Sequence, residues 1–193
     1  MNMKSPSLTR RARLALTTIV AVIALAAPLR LAFAQTTMTC SPSSNTIAFG
    51  PYDVLAGTTV PAVGSFTVSC TYTSAFGGAK TVNYTVTIPA PGTTARNMKP
   101  PSGTDVIAYT LYTDSARTMV WGDGAGGTYT ITGSMNVPRN STKTSAAINY
   151  YGLITPGGQD VSAASPGPPP TTYSQALTLT VTFTCQAPFF GTC

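Results

Sequence analysis

The sequence predicts an all-β fold, and three observations lead to this prediction. Thr is unusually common, with 31 in residues 35–193, and its branched Cβ packs well on the pleated surface of a strand. Apolar and polar residues alternate over several short stretches, which is typical of strands with one buried and one solvated face. Gly and Pro separate these stretches, and long helical periodicity is missing. One β-sandwich domain over residues 35–193 is therefore expected.

The predicted strands follow one another at short intervals along the chain. The last is the clearest, because Thr occupies every second position between apolar residues that would share one inward face. Cys70 and Cys185 are in phase with inward faces, so buried structural bridges are expected rather than reactive thiols. The predicted strands cover residues 64–72, 82–88, 106–112, 129–131, 147–154 and 177–185, and the inward residues of the last are Leu177, Leu179, Val181, Phe183 and Cys185.

The first 34 residues have the pattern of a secretory signal peptide. Three Arg within residues 10–13 precede an apolar run, and an A-x-A cleavage pattern ends at Ala34. The apolar run is shorter than the roughly 20 residues that a membrane span needs, which argues against an uncleaved membrane anchor. No second hydrophobic stretch could span a membrane, so no span is expected after cleavage. A second A-x-A pattern ends at Ala26, and the sequence leaves both cleavage sites open.

The charges of the mature chain do not favour a nucleic-acid partner. The whole chain has a formal net charge of +6, but five of its eleven cations lie in the first 30 residues. Six cations and five Asp remain from residue 35 onward, which leaves a net charge of +1. A basic surface of the kind that binds nucleic acid is therefore not expected.

The chain contains no His and no Glu, which removes most options for catalysis and metal binding. Ser-His-Asp and Cys-His catalysis are excluded, and the commonest zinc ligand is missing. The Asp residues lie in predicted turns, where they would cap backbone amides, although Asp105 and Asp114 are left open as a pair. The Gly-rich segment 121–127 is also a predicted turn, and no helix follows it to form a phosphate-binding loop. No enzymatic activity and no cofactor are predicted.

The four Cys are predicted to form two disulfide bridges. Export would place them in an oxidising compartment, where disulfides persist. Because no C-x-x-C motif occurs, a redox or metal site has little support. Three connectivities are possible, and the spacing of the residues does not choose among them. The residues are Cys40, Cys70, Cys185 and Cys193.

Five motifs occur in an order and at a spacing that are similar to those of one known family. The most specific is AYTLYTDSARTMVWGDG at residues 108–124, and the predicted terminal strand at residues 177–183 is another. The other three are IAFGPYDVL at residues 47–55, FTVSC at residues 66–70 and YGLI at residues 151–154. Through these motifs the chain resembles the spore coat U domain family, which includes the archaic, Csu-type chaperone–usher pilins.

The resemblance implies an incomplete immunoglobulin-like β-sandwich that is completed by donor-strand complementation. In this family a periplasmic chaperone first fills the groove beside the terminal strand, and the N-terminal extension of a neighbouring subunit then replaces it. The incoming segment completes the strand ladder, and its alternate apolar side chains fill the core. The resemblance places Leu177, Leu179, Val181 and Phe183 in this donor-strand groove.

The resemblance also implies the partners and the location of the protein. After export it would pass through the periplasm, where a chaperone binds it, and reach the cell surface through an outer-membrane usher. There it would join neighbouring pilus subunits and take part in adhesion and biofilm formation. The family's cysteine pattern implies a Cys40–Cys70 bridge, which leaves Cys185 to pair with Cys193.

The cleavage site decides whether the chain can give a strand as well as accept one. Cleavage after Ala34 leaves five residues before Cys40, whereas filling a groove takes roughly ten residues at about 3.3 Å each. Such a subunit would accept a strand but not donate one, as expected of a pilus tip or terminal subunit. Cleavage after Ala26 would instead leave a 13-residue leader with alternating apolar residues between positions 29 and 33.

Two other functions remain open at the level of sequence. A spore or cell coat protein would carry the same domain without polymerising by strand exchange. A carbohydrate-binding module would use aromatic side chains as a sugar platform, although aromatic residues on strands more often belong to the core. The aromatic candidates are Tyr52, Tyr72, Trp121 and Tyr151, and the candidates for an adhesive surface are Phe189 and Phe190.

Overall fold

The computed structural model describes residues 36–43, 46–89, 96–101, 104–157, 159, 161, 172–186 and 193. This part of the chain contains ten strands, which pair in antiparallel fashion. These residues contain no helix, so the predicted all-β class is confirmed. They belong to one structural unit, Gln35–Cys193. The strands are β1 (Thr37–Pro42), β2 (Val60–Phe66), β3 (Val68–Thr73), β4 (Lys80–Thr87), β5 (Arg96–Met98), β6 (Ile107–Tyr112), β7 (Ile131–Val137), β8 (Ser141–Thr144), β9 (Ile148–Ile154) and β10 (Thr180–Cys185).

The strands form three sheets, with the orders β1-β3-β8, β2-β9-β6-β5 and β10-β4-β7. The first two sheets continue into each other, because β2 runs into β3 and β8 runs into β9. Phe66 pairs with Ile148, and Ser69 pairs with Thr144, so two residues between these pairs face three on the other strand. This count defines a β-bulge, which bends the strand that carries the extra residue.

The result is a two-layer sandwich, which is consistent with the expected immunoglobulin-like architecture. The first layer has the strand order β1, β2/β3, β8/β9, β6 and β5, and the second layer has the order β10, β4 and β7. Hydrogen bonds join the strands across the bulge, since the Ser145 amide donates to the Val68 carbonyl at 2.9 Å. The Val68 amide in turn donates to the Ser145 hydroxyl at 3.0 Å.

An aromatic cluster fills the core between the two layers. The rings of Phe66 and Trp121 are stacked with centroids 5.7 Å apart, and the Trp121 and Tyr150 centroids are 5.2 Å apart. A buried indole N–H needs an acceptor, and Trp121 donates to the Val86 carbonyl at 3.2 Å. Because Phe66 and Tyr150 belong to the first layer and Val86 to the second, Trp121 ties the layers together.

Hydroxyl-bearing residues cover the solvent-facing side of the first layer. The Ser69 and Thr144 hydroxyls are 2.8 Å apart, and those of Thr71 and Thr142 are 2.7 Å apart. Such cross-strand pairs stabilise a sheet by roughly 0.2–1 kcal/mol each. They also show that these side chains of β3 and β8 point outward.

Each of the six predicted strands overlaps at least one observed strand, but not every boundary agrees. The predicted strand 64–72 is divided at Thr67 into β2 and β3, and the predicted strand 129–131 starts only at Ile131 and continues to Val137. β1, β5 and β8 were not predicted, because they are short or lack a clear apolar phase. The signal peptide predicted for residues 1–34 lies outside the described residues. Among those that are described, no helix is long and apolar enough to span a membrane.

Candidate functional site

The last strand, β10, forms one edge of the second layer. It pairs with β4, and its ladder places Val181 opposite Val86, and Phe183 opposite Tyr84. Val86 and Tyr84 are 0% and 6% exposed, whereas Val181 and Phe183 are only partly buried although they face the same core. The core is therefore covered less completely beyond β10 than beneath β4.

The strand β1 forms the facing edge of the first layer. It pairs with β3, and the register places Met38 opposite Tyr72 and Cys40 opposite Cys70. These β1 residues point inward with their partners, since directly opposite residues of an antiparallel pair share a face. Met38 is 3% exposed, while Cys40 is partly buried.

β1 and β10 lie close to each other, but no backbone ladder joins them within the described ranges. The space between them is named the β1–β10 seam. All the inward side chains that border it are apolar, so an incoming strand would meet an unbroken apolar surface. The bordering residues are Met38, Cys40 and Pro42 from β1, and Val181, Phe183 and Cys185 from β10.

Leu177 and Leu179 lie just before β10 rather than within it, which corrects the predicted start of the last strand. The ladder begins only at Thr180, because β4 ends opposite it at Thr87 and the following Ile88 amide donates to the Gly122 carbonyl instead. Both leucines are still partly buried against the core. They contribute apolar surface beside the core but add nothing to the ladder.

The segment that leads into β10 is held by the first layer. Lys99 and Ser174 exchange two backbone hydrogen bonds of 3.1 and 2.9 Å. The Tyr109 hydroxyl donates to the Gln175 side-chain oxygen at 2.7 Å. Burial raises the pKa of Tyr109 to about 12, against the opposing effect of the nearby Arg96 guanidinium. The phenol therefore stays protonated and keeps this donor at neutral pH.

Two disulfide bridges anchor the strands that border the seam. Cys40 of β1 is bonded to Cys70 of β3, 30 residues later, and Cys185 at the end of β10 is bonded to Cys193, eight residues later. The first is the pairing that the family resemblance implies, and the second is the pairing that then remains for the other two Cys. The first bridge joins β1 to the interior strand β3, so it holds one wall of the seam in place.

Asp114 and Asp123 act as turn caps, as the sequence predicts for them. Asp114 accepts hydrogen bonds from the amides of Thr118 and Met119, at distances from 2.8 to 3.1 Å. Desolvation raises the pKa of Asp114, but these hydrogen bonds outweigh it and hold the pKa below its usual value. The Asp123 carboxylate accepts from the Ala125 amide at 2.9 Å. No group of three or more metal-binding side chains occurs among the described residues.

The aromatic platform considered for sugar binding does not form. Trp121 is 2% exposed and Tyr72 is 1% exposed, so both belong to the core. Tyr52 and Tyr151 are partly buried. Phe189 and Phe190, the predicted adhesive surface, lie outside the described residues.

The fold and the seam define a class of protein: an all-β, disulfide-bonded sandwich with an apolar seam at the edge of its last strand. The family model of the Spore Coat Protein U domain matches residues 26–184 of the chain. The chain therefore belongs to this family, as the motifs in the sequence predict. No curated protein matches the chain at a significant level.

Membership in the family indicates the general function of the protein. The domain fits proteins of pilus or coat type, whose work is structural or adhesive. The family and the disulfide bridges are consistent with an exported surface protein. Pilus-type assembly is what the family implies for its partners.

Proposed function

We propose that this protein is an exported subunit of a chaperone–usher surface pilus and accepts a strand from another chain in its β1–β10 seam. The accepted strand would pair with the free edge of β10 and cover the inward side chains that are now only partly buried. Before assembly a periplasmic chaperone would supply this strand, and an outer-membrane usher would then exchange it for that of a neighbouring subunit.

The observation that supports the proposal most strongly is the difference in burial between β10 and β4. Phe183 and Tyr84 are paired and face the same core, yet Tyr84 is buried and Phe183 is not. Burying apolar surface yields about 25 cal/mol per Å², so a strand that covers Phe183 and Val181 would gain binding energy from the core itself. Exposed sheet edges of this kind favour strand addition.

The position of β1 supports a tip or terminal location in the pilus. A donated segment must be free of its own domain, but β1 already begins at Thr37 and Met38 is 3% exposed. The Thr36 hydroxyl is also within 3.0 Å of the Ser74 hydroxyl. If the signal peptide is cleaved after Ala34, only Gln35 and Thr36 precede β1, which is too short to donate.

One finding favours a second candidate, a subunit within the pilus shaft that also donates a strand. The family match begins at residue 26 and thus includes the segment that cleavage after Ala34 would remove. Cleavage after Ala26 would retain it, with Leu29, Leu31 and Phe33 alternating. Mass spectrometry of the mature N-terminus decides between the two. A mature chain that starts at Ala27 would contradict the tip location.

Strand acceptance is tested with the exported, purified protein and a ten-residue peptide that has the sequence of residues 27–36. We expect one peptide to bind per chain and to slow hydrogen exchange at the amides of β10. Saturation at one peptide with no protection of β10 would place the strand elsewhere. A stable monomer that binds no peptide would favour the coat protein that does not exchange strands.

A further inference from the structure

The sandwich has a second open seam on the side away from β10. Here β7 is the edge of the second layer, and β8 is the edge of the β1-β3-β8 sheet within the first layer. A cleft of about 640 Å³ lies between them. Its lining includes Tyr84, Gly133 and Met135 from the second layer and Lys143 and Ile148 from the first. This space is named the β7–β8 seam.

The side chain of Lys143 points toward the core side of β8. Lys143 is opposite Cys70 in the ladder of β3 and β8, and Cys70 is 0% exposed. The neighbouring Thr142 and Thr144 point the other way, since their hydroxyls pair with those of Thr71 and Ser69 on the solvent side. Lys143 is nevertheless exposed, because β8 is an edge strand and the cleft beside it is open.

Cys40, Cys70 and Lys143 form one row across β1, β3 and β8 on the inward face of the first layer. At the β1 end of the row, a disulfide-bonded Cys borders the β1–β10 seam. At the β8 end, a primary ammonium group borders the β7–β8 seam. The two seams of the same sandwich thus differ in chemistry at equivalent positions.

We propose that Lys143 keeps apolar strands out of the β7–β8 seam, so that a donated strand enters only the β1–β10 seam. This inference rests on the proposed function, and it deepens that function by naming a residue that determines where the strand goes. A strand seated between β7 and β8 would cover the ammonium group and remove it from water, and an unpaired buried charge is strongly unfavourable. Inward-pointing charges are a known way to protect sheet edges from strand addition.

The test compares peptide stoichiometry in the wild type and in Lys143→Met, both exported and purified as full chains. Met keeps the length of the side chain and removes the charge. Native mass spectrometry with the peptide of residues 27–36 counts the bound strands. We expect Lys143→Met to bind one peptide more than the wild type, and the additional peptide to slow hydrogen exchange in β7 and β8. Lys143→Gln is measured in the same way and provides the comparison if the Met variant does not fold.

Two matched variants isolate the charge and the direction of the side chain. Lys143→Arg keeps the charge and should bind no additional peptide, and neither should Thr142→Val, which changes an outward residue of the same strand. The wild-type count reports on the proposed function, whereas the difference between variant and wild type reports on Lys143. Equal counts in the wild type and the folded neutral variants would overturn the inference, as would an additional peptide that protects neither β7 nor β8.

Discussion

The two seams of the sandwich are built from the same two layers, yet their surfaces differ. In the β1–β10 seam every inward side chain of the bordering strands is apolar, and Val181 and Phe183 are only partly buried. In the β7–β8 seam the inward residues of β8 are Ser141 and Lys143, which are polar. An open edge alone therefore does not define a strand-accepting groove. Under the proposals made above, the chemistry of the inward row distinguishes an edge that accepts a strand from one that excludes it.

The largest effect is expected for Phe183→Asp, which places a carboxylate in the apolar seam. Burial of Phe contributes roughly 1.5–3 kcal/mol, and 1.4 kcal/mol is a factor of ten in binding. Burying a charge adds a further cost, so we expect peptide affinity to fall by at least about 100-fold in a titration. Thr182→Asp is the matched control, because Thr182 is an outward neighbour on the same strand. Equal losses in both variants would contradict the assigned seam.

A comparable effect, on stability rather than on peptide binding, is expected when a disulfide bridge is removed. In the loop-closure account, a bridge across 30 residues stabilises by about 3.5 kcal/mol and one across 8 residues by about 2.5 kcal/mol, and these are the separations of the two bridges. Replacing Cys40 and Cys70 by Ala should therefore lower the free energy of unfolding more than replacing Cys185 and Cys193. Chemical denaturation measures both.

The first of these double variants should also loosen only one seam. Because β1 is tied to β3 by the Cys40–Cys70 bridge, hydrogen exchange should increase in β1 while β8 changes little. A uniform increase across both strands would mean that the bridge stabilises the whole domain rather than the wall of the β1–β10 seam.

Gly133→Ala should have a smaller effect, at the β7–β8 seam. Gly133 is paired with Tyr84, and a Cβ at this position would collide with the Tyr84 ring. Overpacking of this kind costs roughly 1–3 kcal/mol, which should lower Tm by about 2–4 °C for each kcal/mol in a domain of this size. Gly78→Ala is the control, since a Cβ there meets no atom within 4 Å. An unchanged Tm in Gly133→Ala would show that the ring moves into the cleft without cost.

The smallest effect concerns Tyr109, which anchors the segment before β10. Its pKa is raised to about 12 in the folded state, against about 10 in an unfolded chain. The folded protein therefore keeps a proton that the unfolded chain loses between about pH 10 and 12, and stability falls as the pH rises through this range. Tyr109→Phe should flatten this part of a stability profile measured against pH. A profile that keeps its slope would assign the titration to another group.

The sequence predicted which residues of β10 face inward but not which residues of β8 do, for a physical reason. In β10, Thr alternates with apolar residues, so the inward face is visible in the sequence itself. In β8 the sequence is STKT, which has no apolar phase. The direction of Lys143 is set by its register with Cys70, which is 73 residues away in the chain and is fixed only by the tertiary structure. The same limit explains why β1 was missed although it contains the buried Met38.

The β-bulge at residues 145–147 gives β8 and β9 opposite parity. Even-numbered residues of β9, such as Tyr150, face the core, whereas in β8 the odd-numbered Lys143 does so, because one extra residue separates the two strands. Side chains alternate with a period of two, so loss of a single residue there would reverse every side chain of β8 at once. A deletion of one codon would thus exchange threonines for the lysine on the inner surface, and evolution can alter this edge in one discrete step rather than by gradual substitution.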